Sequence, residues 1–462
     1  MLFLTIWLEV TEDRRIGYNF APMKISHVSN TNLKNVDFNQ LDFGKTFSDY
    51  MMVMDHDGNS WGEYSIEPLK ALSFHPAMSV FHYGQAVFEG LKAYKLDSGK
   101  VNIFRLHDNL NRFNKSAERL LMPQIDIPQA LDAIKKFVEL QREWVPNRSQ
   151  GSLYVRPFMI STDNTLRAVP SKSYKFIVIA CPVGFYYSVP LRVMINKQFR
   201  RAATGGIGYA KAAGNYAASF YPSNQAKELG FDQVLWTDIT DDFKLEELGS
   251  ANFFYVKKGV LYTPKMRDSI LNGITRNTVI ALARESGMEV YEEAISADRI
   301  KSELGAGEVD CLFATGTAAA VTYINELMID DQLIKTKHLS LPFNTGFIPS
   351  TRLDPNRRGD GEAVKVFVLS GRIPSETYTP IYPIGLMHYN DKGLKRTVIL
   401  AHSLDDEYQS IKSEDISLLP KGVLEIVSNW VCNQESNDRY QLISWGQKRD
   451  ALKYINDWKL LR

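Results

Sequence analysis

Apolar positions recur at two distinct periods along the first 190 residues. HDNLNRFNKSAERLLM (107–122) places Leu110, Phe113, Ala117, Leu120 and Leu121 three or four residues apart. That spacing predicts an amphipathic helix, and Pro123 stops it. IPQALDAIKKFVELQREWV predicts a second such helix. KVNIFRL (100–106) reads as a strand. SLYVRPFMI alternates, which puts Tyr154, Arg156 and Phe158 on one strand face. KFIVIACPVG reads as a buried strand running into a Gly/Pro turn, where a domain boundary is expected.

A second unit begins near 193. YAASFYPSNQAKELG predicts a helix closed by Gly230. DQVLWTD reads as a strand, and NFFYVKKGVLYTP as strand, turn, strand. ITRNTVIALARESG is helical up to Gly287, and DCLFATGTAAAV is a strand entering a Gly/Thr turn. Beyond about 340 the character changes. FNTGFIPSTRLDPNRRGDGE has the Pro, Gly and charge content of a linker. The strand-like AVKVFVLSG and KRTVILAHS and a terminal amphipathic helix in GQKRDALKYINDWKLLR follow. The expected order is therefore an extension at 1–22, a small α/β domain at 23–184 and an interdomain loop at 185–192. A large domain at 193–342, a linker at 343–362 and a C-terminal α+β extension at 363–462, of no assigned role, complete it. Met23 opens MKISHVSN, so residues 1–22 read as an upstream extension or a mis-chosen start.

Composition narrows the class. With 462 residues the chain is long enough for two or three domains, and 44% hydrophobic against 23% charged residues is ordinary for a soluble globular protein. The 54 basic and 53 acidic side chains create no global field for nucleic acid. Cys181, Cys311 and Cys432 lie far apart, which argues against a zinc site or disulfide framework and fits a cytoplasmic protein. The opening MLFLTIWLEV lacks the basic start and cleavage site of a signal peptide, and no apolar run is long enough to span a bilayer.

Four features of the second unit carry candidate chemistry. Lys211 sits in GYAKAAGNYAASF among small residues. LEELGSANFF presents Glu246 and Glu247 before a glycine. NGITRNTV puts Gly273, Ile274 and Thr275 at a helix start. ATGTAAA puts Gly316 and Thr317 in a turn after a strand. Helix starts and Gly/Thr turns offer unpaired N–H donors to anions. Alone, each is commonplace, and a lone lysine is ordinarily a solvated surface residue. Together, a lysine, a carboxylate and a phosphate cradle meet the needs of pyridoxal 5'-phosphate.

The order FHYGQAVFEGLKAYK, GSLYVRPFMI, CPVGFYY, KAAGNYAASF, EELGSANFF, GITRNTV, ATGTAAA resembles branched-chain amino acid aminotransferases, over roughly residues 45–335. The resemblance implies the two-domain α/β (α+β) fold of type IV pyridoxal-phosphate enzymes and at least a homodimer. It implies that Lys211 holds the cofactor covalently, that Glu247 partners the ring nitrogen, and that Tyr216 bonds the ring hydroxyl. Arg112, Ile274, Thr275 and Thr317 match the phosphate contacts. Tyr83 and Phe88 match an aromatic wall of the substrate pocket, Tyr154 and Arg156 the pair admitting the glutamate side chain. Thr317 and Ala318 match the turn that takes the substrate α-carboxylate. Glu246 is expected to be solvated or structural.

The function so implied is reversible ping-pong amino transfer between leucine, isoleucine or valine and 2-oxoglutarate, with no nucleic-acid or membrane partner and no metal. Rival readings are a D-amino acid aminotransferase or aminodeoxychorismate lyase of the same fold, or a non-catalytic ligand-binding regulator. Two departures stand out. The turn reads TGTAAAVTYI, without the CxxC pair of some animal members, so no thiol switch is expected there. The stretch from 340 to 462 matches nothing in the family, which leaves open how the large domain is closed.

Overall fold

The computed structural model describes residues 23–460 apart from 97, 148–149, 185–189, 319, 337–342, 356–360, 371–372, 375, 392, 406–412, 420–422, 425–426, 429–430 and 432–439. The expected extension at 1–22 lies outside the described residues, as does most of the loop expected at 185–192. Leu191 and Arg192 already belong to the strand Leu191–Asn196. The chain divides into two compact units, which meet in sequence between residues 337 and 338.

The first unit contains two sheets. In the first, seven strands run in the order Lys24–Ile25, Ser65–Pro68, Tyr50–His56, Tyr174–Val183, Ser152–Ser161, Leu91–Lys95, Val101–Ile103, and Ala86–Phe88 also pairs with Ser152–Ser161. Helices Leu106–Arg119 and Ile127–Leu140 bury Leu110, Phe113, Ile134 and Phe137 in one cluster with Leu153, Val155 and Phe176 of the sheet. The second helix begins where the Asp126 carboxylate accepts from the Gln129 N–H at 2.8 Å, a cap that contributes about 1 kcal/mol. The first ends at Arg119, three residues before the expected Met122, because the chain turns left-handed at Leu121 (φ 55°).

The second sheet runs Leu245–Leu248, Gln233–Thr237, Leu191–Asn196, Ala320–Ile329, Val309–Gly316, Asn252–Lys257, Val260–Pro264, Val290–Glu293. Leu245–Leu248 also pairs with Asn252–Lys257, through Glu247 opposite Asn252. Six strands thus close into a ring, and the pair Glu247–Asn252 is its seam. The strand Ala320–Ile329 sits between Leu191–Asn196 and Val309–Gly316 and accepts Gln332–Lys335 at its far end. Among the described residues, this sheet is closed by strands that precede residue 336.

The second unit is a five-stranded sheet, Asn344–Phe347, Lys365–Val368, Leu394–Ser403, Ile381–Asp391, Tyr440–Gln447, with the helix Lys448–Asp457. The expected linker at 343–362 therefore begins with an edge strand, and Phe343 beside it is buried. The sheet is apolar on both faces. Phe367, Val398 and Leu400 pack with Phe343 on one side, whereas Val366, Val368 and Ile399 pack with Ala451 on the other. Double-sided burial explains the unbroken apolar runs VFVL (366–369) and VILA (398–401). Trp445 and Trp458 pack against these same clusters, and Trp430 lies outside the described residues.

Among the described residues, the buried side chains of the first unit's core clusters all precede residue 330. Residues 23–337 expressed alone should therefore stay soluble and melt cooperatively, as followed by circular dichroism. An aggregated or non-cooperative product would show that the later residues supply part of that core.

Candidate active site

The small residues around Lys211 have a packing reason. The segment runs antiparallel against Ala86–Phe88, with Val87 opposite Ala212. The Phe88 N–H donates to the Lys211 carbonyl at 3.1 Å, and the Ala213 N–H to the Ala86 carbonyl at 3.0 Å. Ala210 and Ala212 are fully buried, so only short side chains fit between the segment and the sheet. The Ser116 hydroxyl accepts from the Lys211 N–H at 2.9 Å. This clamp leaves the long side chain free to point elsewhere. Its Nζ donates to the Tyr216 hydroxyl at 3.0 Å and sits 4.8 Å from the Phe88 ring centre.

Lys211 opens into a cavity of about 920 Å³. Phe88, Arg112, Tyr154, Arg156, Lys211, Tyr216, Glu247, Ile274, Thr275, Thr317 and Ala318 all line it. Tyr83 does not: it is exposed, and its hydroxyl donates to the Leu166 carbonyl. It stands at the end of the helix Ser79–Tyr83, outside the cavity that this single chain forms.

Glu246 and Glu247 are both buried, and the strand's period of two separates them. Glu247 faces the cavity; Glu246 bonds the Ser269 hydroxyl on the other side. The expectation that Glu246 is solvated or structural resolves to structural. The Glu247 carboxylate accepts from Arg201 Nη1 at 2.7 Å, from the Leu271 N–H at 3.1 Å and from Asn252 Nδ2 at 3.3 Å. Burial pushes its carboxyl up to about 7, with Arg201 acting against the rise.

Arg112 is fixed by a two-pronged bond to Glu89, at 2.6 and 2.9 Å, and donates to the Asn272 carbonyl at 3.0 Å. Beside it, the helix Ile274–Glu285 starts at Gly273 with no side-chain cap, so the first-turn N–H groups face the cavity side as anion donors. A Cβ on Gly273 would lie 2.0 Å from Asn252 Oδ1, so only glycine lets the helix start against the ring seam. Arg156 lies 4.7 Å from the Phe88 ring centre and donates to the Tyr154 hydroxyl at 2.8 Å, and among the described residues its Nε is buried without a partner. Such a guanidinium N–H can donate to a carboxylate. Lys92, paired with Tyr154 on the neighbouring strand and also buried, donates to the Ala318 carbonyl at 2.9 Å, and desolvation pushes its ammonium down to about 8.

These groups fit pyridoxal 5'-phosphate: an amine, a buried carboxylate across the cavity, a phenol beside the amine, and an arginine with a helix start for a phosphate. An amino-transferase class IV family model matches residues 86–327. The chain belongs to that family. It is 46% identical over 303 residues to branched-chain-amino-acid transaminase 1 of Bacillus subtilis, covering 64% of this chain and 85% of that one. It is 35% identical over 327 residues to the branched-chain-amino-acid aminotransferase of Mycolicibacterium smegmatis, covering 68% and 89%. Among solved structures, the branched-chain aminotransferase of Thermoproteus uzoniensis with norvaline matches at TM-score 0.51 and 27% identity, over 62% of this chain and 89% of that one. The enzyme of Thermobaculum terrenum in its PLP form matches at TM-score 0.51 and 26% identity, over 60% and 85%. The fold is thus the type IV aminotransferase fold, as the motif order implied.

An inorganic pyrophosphatase family model matches residues 290–460, spanning the end of the aminotransferase unit and nearly all of the C-terminal one. Metal-assisted phosphoryl transfer needs clustered ligands. Among the described residues no group of three or more His, Cys, Asp or Glu is placed to hold a metal ion.

Sequence reasoning missed Glu89, Lys92, Asn252 and Arg201. The first three lie inside quoted motifs, where a polar residue in an apolar stretch was a usable signal. Arg201, in QFRRAATGG, had none.

Raised carboxyl affinity for protons has a consequence for stability. Between the ordinary 4.5 and about 7 the folded apo-protein holds a proton on Glu247 that the unfolded chain releases. Folded stability through this group therefore falls as pH rises across that window. Glu247→Gln should remove that part of the slope, seen as a flatter curve of melting temperature against pH from about 5 to 7.5 in the apo-protein.

Proposed function

We propose that this chain is a pyridoxal-phosphate-dependent branched-chain-amino-acid aminotransferase, exchanging amino groups between leucine, isoleucine or valine and 2-oxoglutarate by a ping-pong route. The observation that carries this reading is a single cavity that joins Lys211 and Glu247 to an aromatic wall holding one arginine. The names of the relatives agree with it. A solved branched-chain aminotransferase that matches at TM-score 0.50 and 27% identity carries N-(5'-phosphopyridoxyl)-L-glutamate.

When bound, the cofactor supplies an electron sink and carries the amino group between the half-reactions. Lys211 Nζ would hold it and, as a free amine, would take the proton from the substrate α-carbon. Glu247 would serve the ring nitrogen and favour its protonated form. Tyr216 would bond the ring hydroxyl, while Arg112, Thr317 and the N–H groups of Ile274 and Thr275 would hold the phosphate. The turn at Thr317 and Ala318 takes the α-carboxylate, and Lys92 braces that turn from behind.

One pocket must accept an isobutyl group and a carboxyethyl group. Phe43, Phe88, Phe158, Ile160 and Ile179 offer apolar contact. At ~0.8 kcal/mol per buried carbon, an isobutyl group contributes about 3 kcal/mol. A charge-assisted bond to Arg156 contributes about 1.5–3 kcal/mol. The two are comparable, so neither substrate class excludes the other.

Phe74, Phe81, Tyr83, Leu166 and Val169 are exposed apolar side chains, with Tyr83 bonded to Leu166 and Phe74 edge-on to Phe81. Such a patch fits a homodimer contact. Among the described residues no helix is long and apolar enough to cross a membrane. The free thiols of Cys181 and Cys311 fit a reducing cytoplasm.

Lys211→Ala should abolish both turnover and the borohydride-reducible visible chromophore; a variant that still transaminates leucine would overturn the assignment. Arg156→Ala should lower kcat/KM for glutamate and 2-oxoglutarate about ten- to a hundredfold, and for leucine only a few-fold. Equal losses would assign Arg156 to loop structure instead.

A further inference from the structure

We infer that Arg201 is a positioning residue for the reaction: it favours the ionised form of the Glu247 carboxylate and keeps it aimed into the cavity, and so acts on the cofactor ring through Glu247. This rests on the reading of Glu247 as the ring-nitrogen partner.

A carboxylate shut away from water is neutral unless a partner compensates its charge. Glu247 is almost wholly buried on the strand Leu245–Leu248. Its surroundings contain four cationic side chains and one acid. Lys211, Arg112 and Arg276 act on it through space, and Glu246, its chain neighbour, opposes them. Arg112 and Arg276 have acidic partners of their own in Glu89 and Glu292. Lys211 is committed to the cofactor on this reading. Among the described residues Arg201 is the cation in direct contact, 2.7 Å away, and its side chain is 4% exposed.

Arg201 is itself anchored. Its Nη1 also reaches the carbonyls of Ser269, at 3.3 Å, and Gly208, at 3.4 Å. Gly208 lies three residues before Lys211, and a Cβ there would meet the Ser269 carbonyl oxygen at 2.3 Å. That close approach brings both carbonyls within reach of one nitrogen. The guanidinium therefore joins the acid's strand, the segment leading to the lysine, and the loop at Ser269. The Leu271 N–H shares Glu247 Oε1 with Arg201 while Asn252 holds the other oxygen, so the carboxylate's rotation is set as well as its charge.

A merely structural arginine would brace the loop at 202–210 and leave the acid's proton affinity alone. The titration of Glu247 separates the two roles. In apo-protein carrying ¹³C-labelled glutamate carboxyls, Glu247 is identified by its loss in Glu247→Gln. Arg201→Met should raise its midpoint by about one to three pH units, the usual effect of an adjacent opposite charge. In holoenzyme the same variant should move the acid limb of kcat/KM for leucine to higher pH. Arg201→Lys, which keeps the charge, should restore most of both. An unchanged Glu247 titration in Arg201→Met, whatever its activity, overturns the proposal. Where Arg201→Met does not fold, Arg201→Lys decides: a near-native titration with retained kcat supports the proposal, whereas a near-native titration with kcat lost overturns it. Failure of the underlying reading looks different: Glu247→Gln would then transaminate normally, although Arg201 still set the acid's titration.

Discussion

The cavity depends on keeping charge where water cannot reach it. Glu89 with Arg112, Glu247 with Arg201, and Glu292 with Arg276 form ion pairs whose arginines are all buried. Such pairs are poor sources of stability, because desolvating two ions costs several kcal/mol each before their attraction offsets it. Their use here is orientation. A charge already desolvated and already aimed needs no rearrangement when charge develops in a bound ligand. The pairing also explains why Arg112 is precise: Glu89 occupies two of its nitrogens and the Asn272 carbonyl a third, so the guanidinium's orientation in the cavity is fixed.

The ring of strands turns this electrostatic requirement into a topological one. Glu247 and Asn252 face each other where the sheet closes on itself, so the acid's place is set by the pairing of two strands rather than by a loop. Asn252 then bonds Glu247, bonds the Leu271 carbonyl and crowds Gly273, the residue from which the helix Ile274–Glu285 starts. One asparagine thereby links the buried carboxylate to the helix start on the cavity wall. The small-residue run performs the matching task across the cavity, because flush packing of Ala210 and Ala212 fixes the backbone of the lysine between them.

Elements with a strong period were legible in the chain alone. The helix spacing from Leu110 to Ala117 and the alternation through Tyr154, Arg156 and Phe158 both appear where the pattern put them. Motif order made the cavity legible as well: every residue assigned to it lines it except Tyr83. What could not be read was partnership over long separations. Arg112 and Glu89 are 23 residues apart, Lys92 and Ala318 are 226 apart, and no period marks which charges will meet. Adjacent glutamates were separable only in part. Alternation says that they face opposite ways, but not that both faces are dry.

The C-terminal unit shows why a compositional reading fails at an edge. Asn344–Phe347 has a glycine and an exposed phenylalanine, so by composition it joins the Pro- and Gly-rich stretch after it. An edge strand needs only one paired neighbour and little burial, and its signal is correspondingly weak. Its partner Lys365–Val368 reads clearly because both of its faces are covered. The alternation of Phe367 against Val366 and Val368 assigns one face to the side of Phe343 and the other to the helix of Ala451. Those two clusters account for the buried side chains of this sheet from its own residues. The ring of the aminotransferase unit likewise closes with strands that precede residue 336. Among the described residues each sheet thus packs apolar side chains of its own unit against its faces.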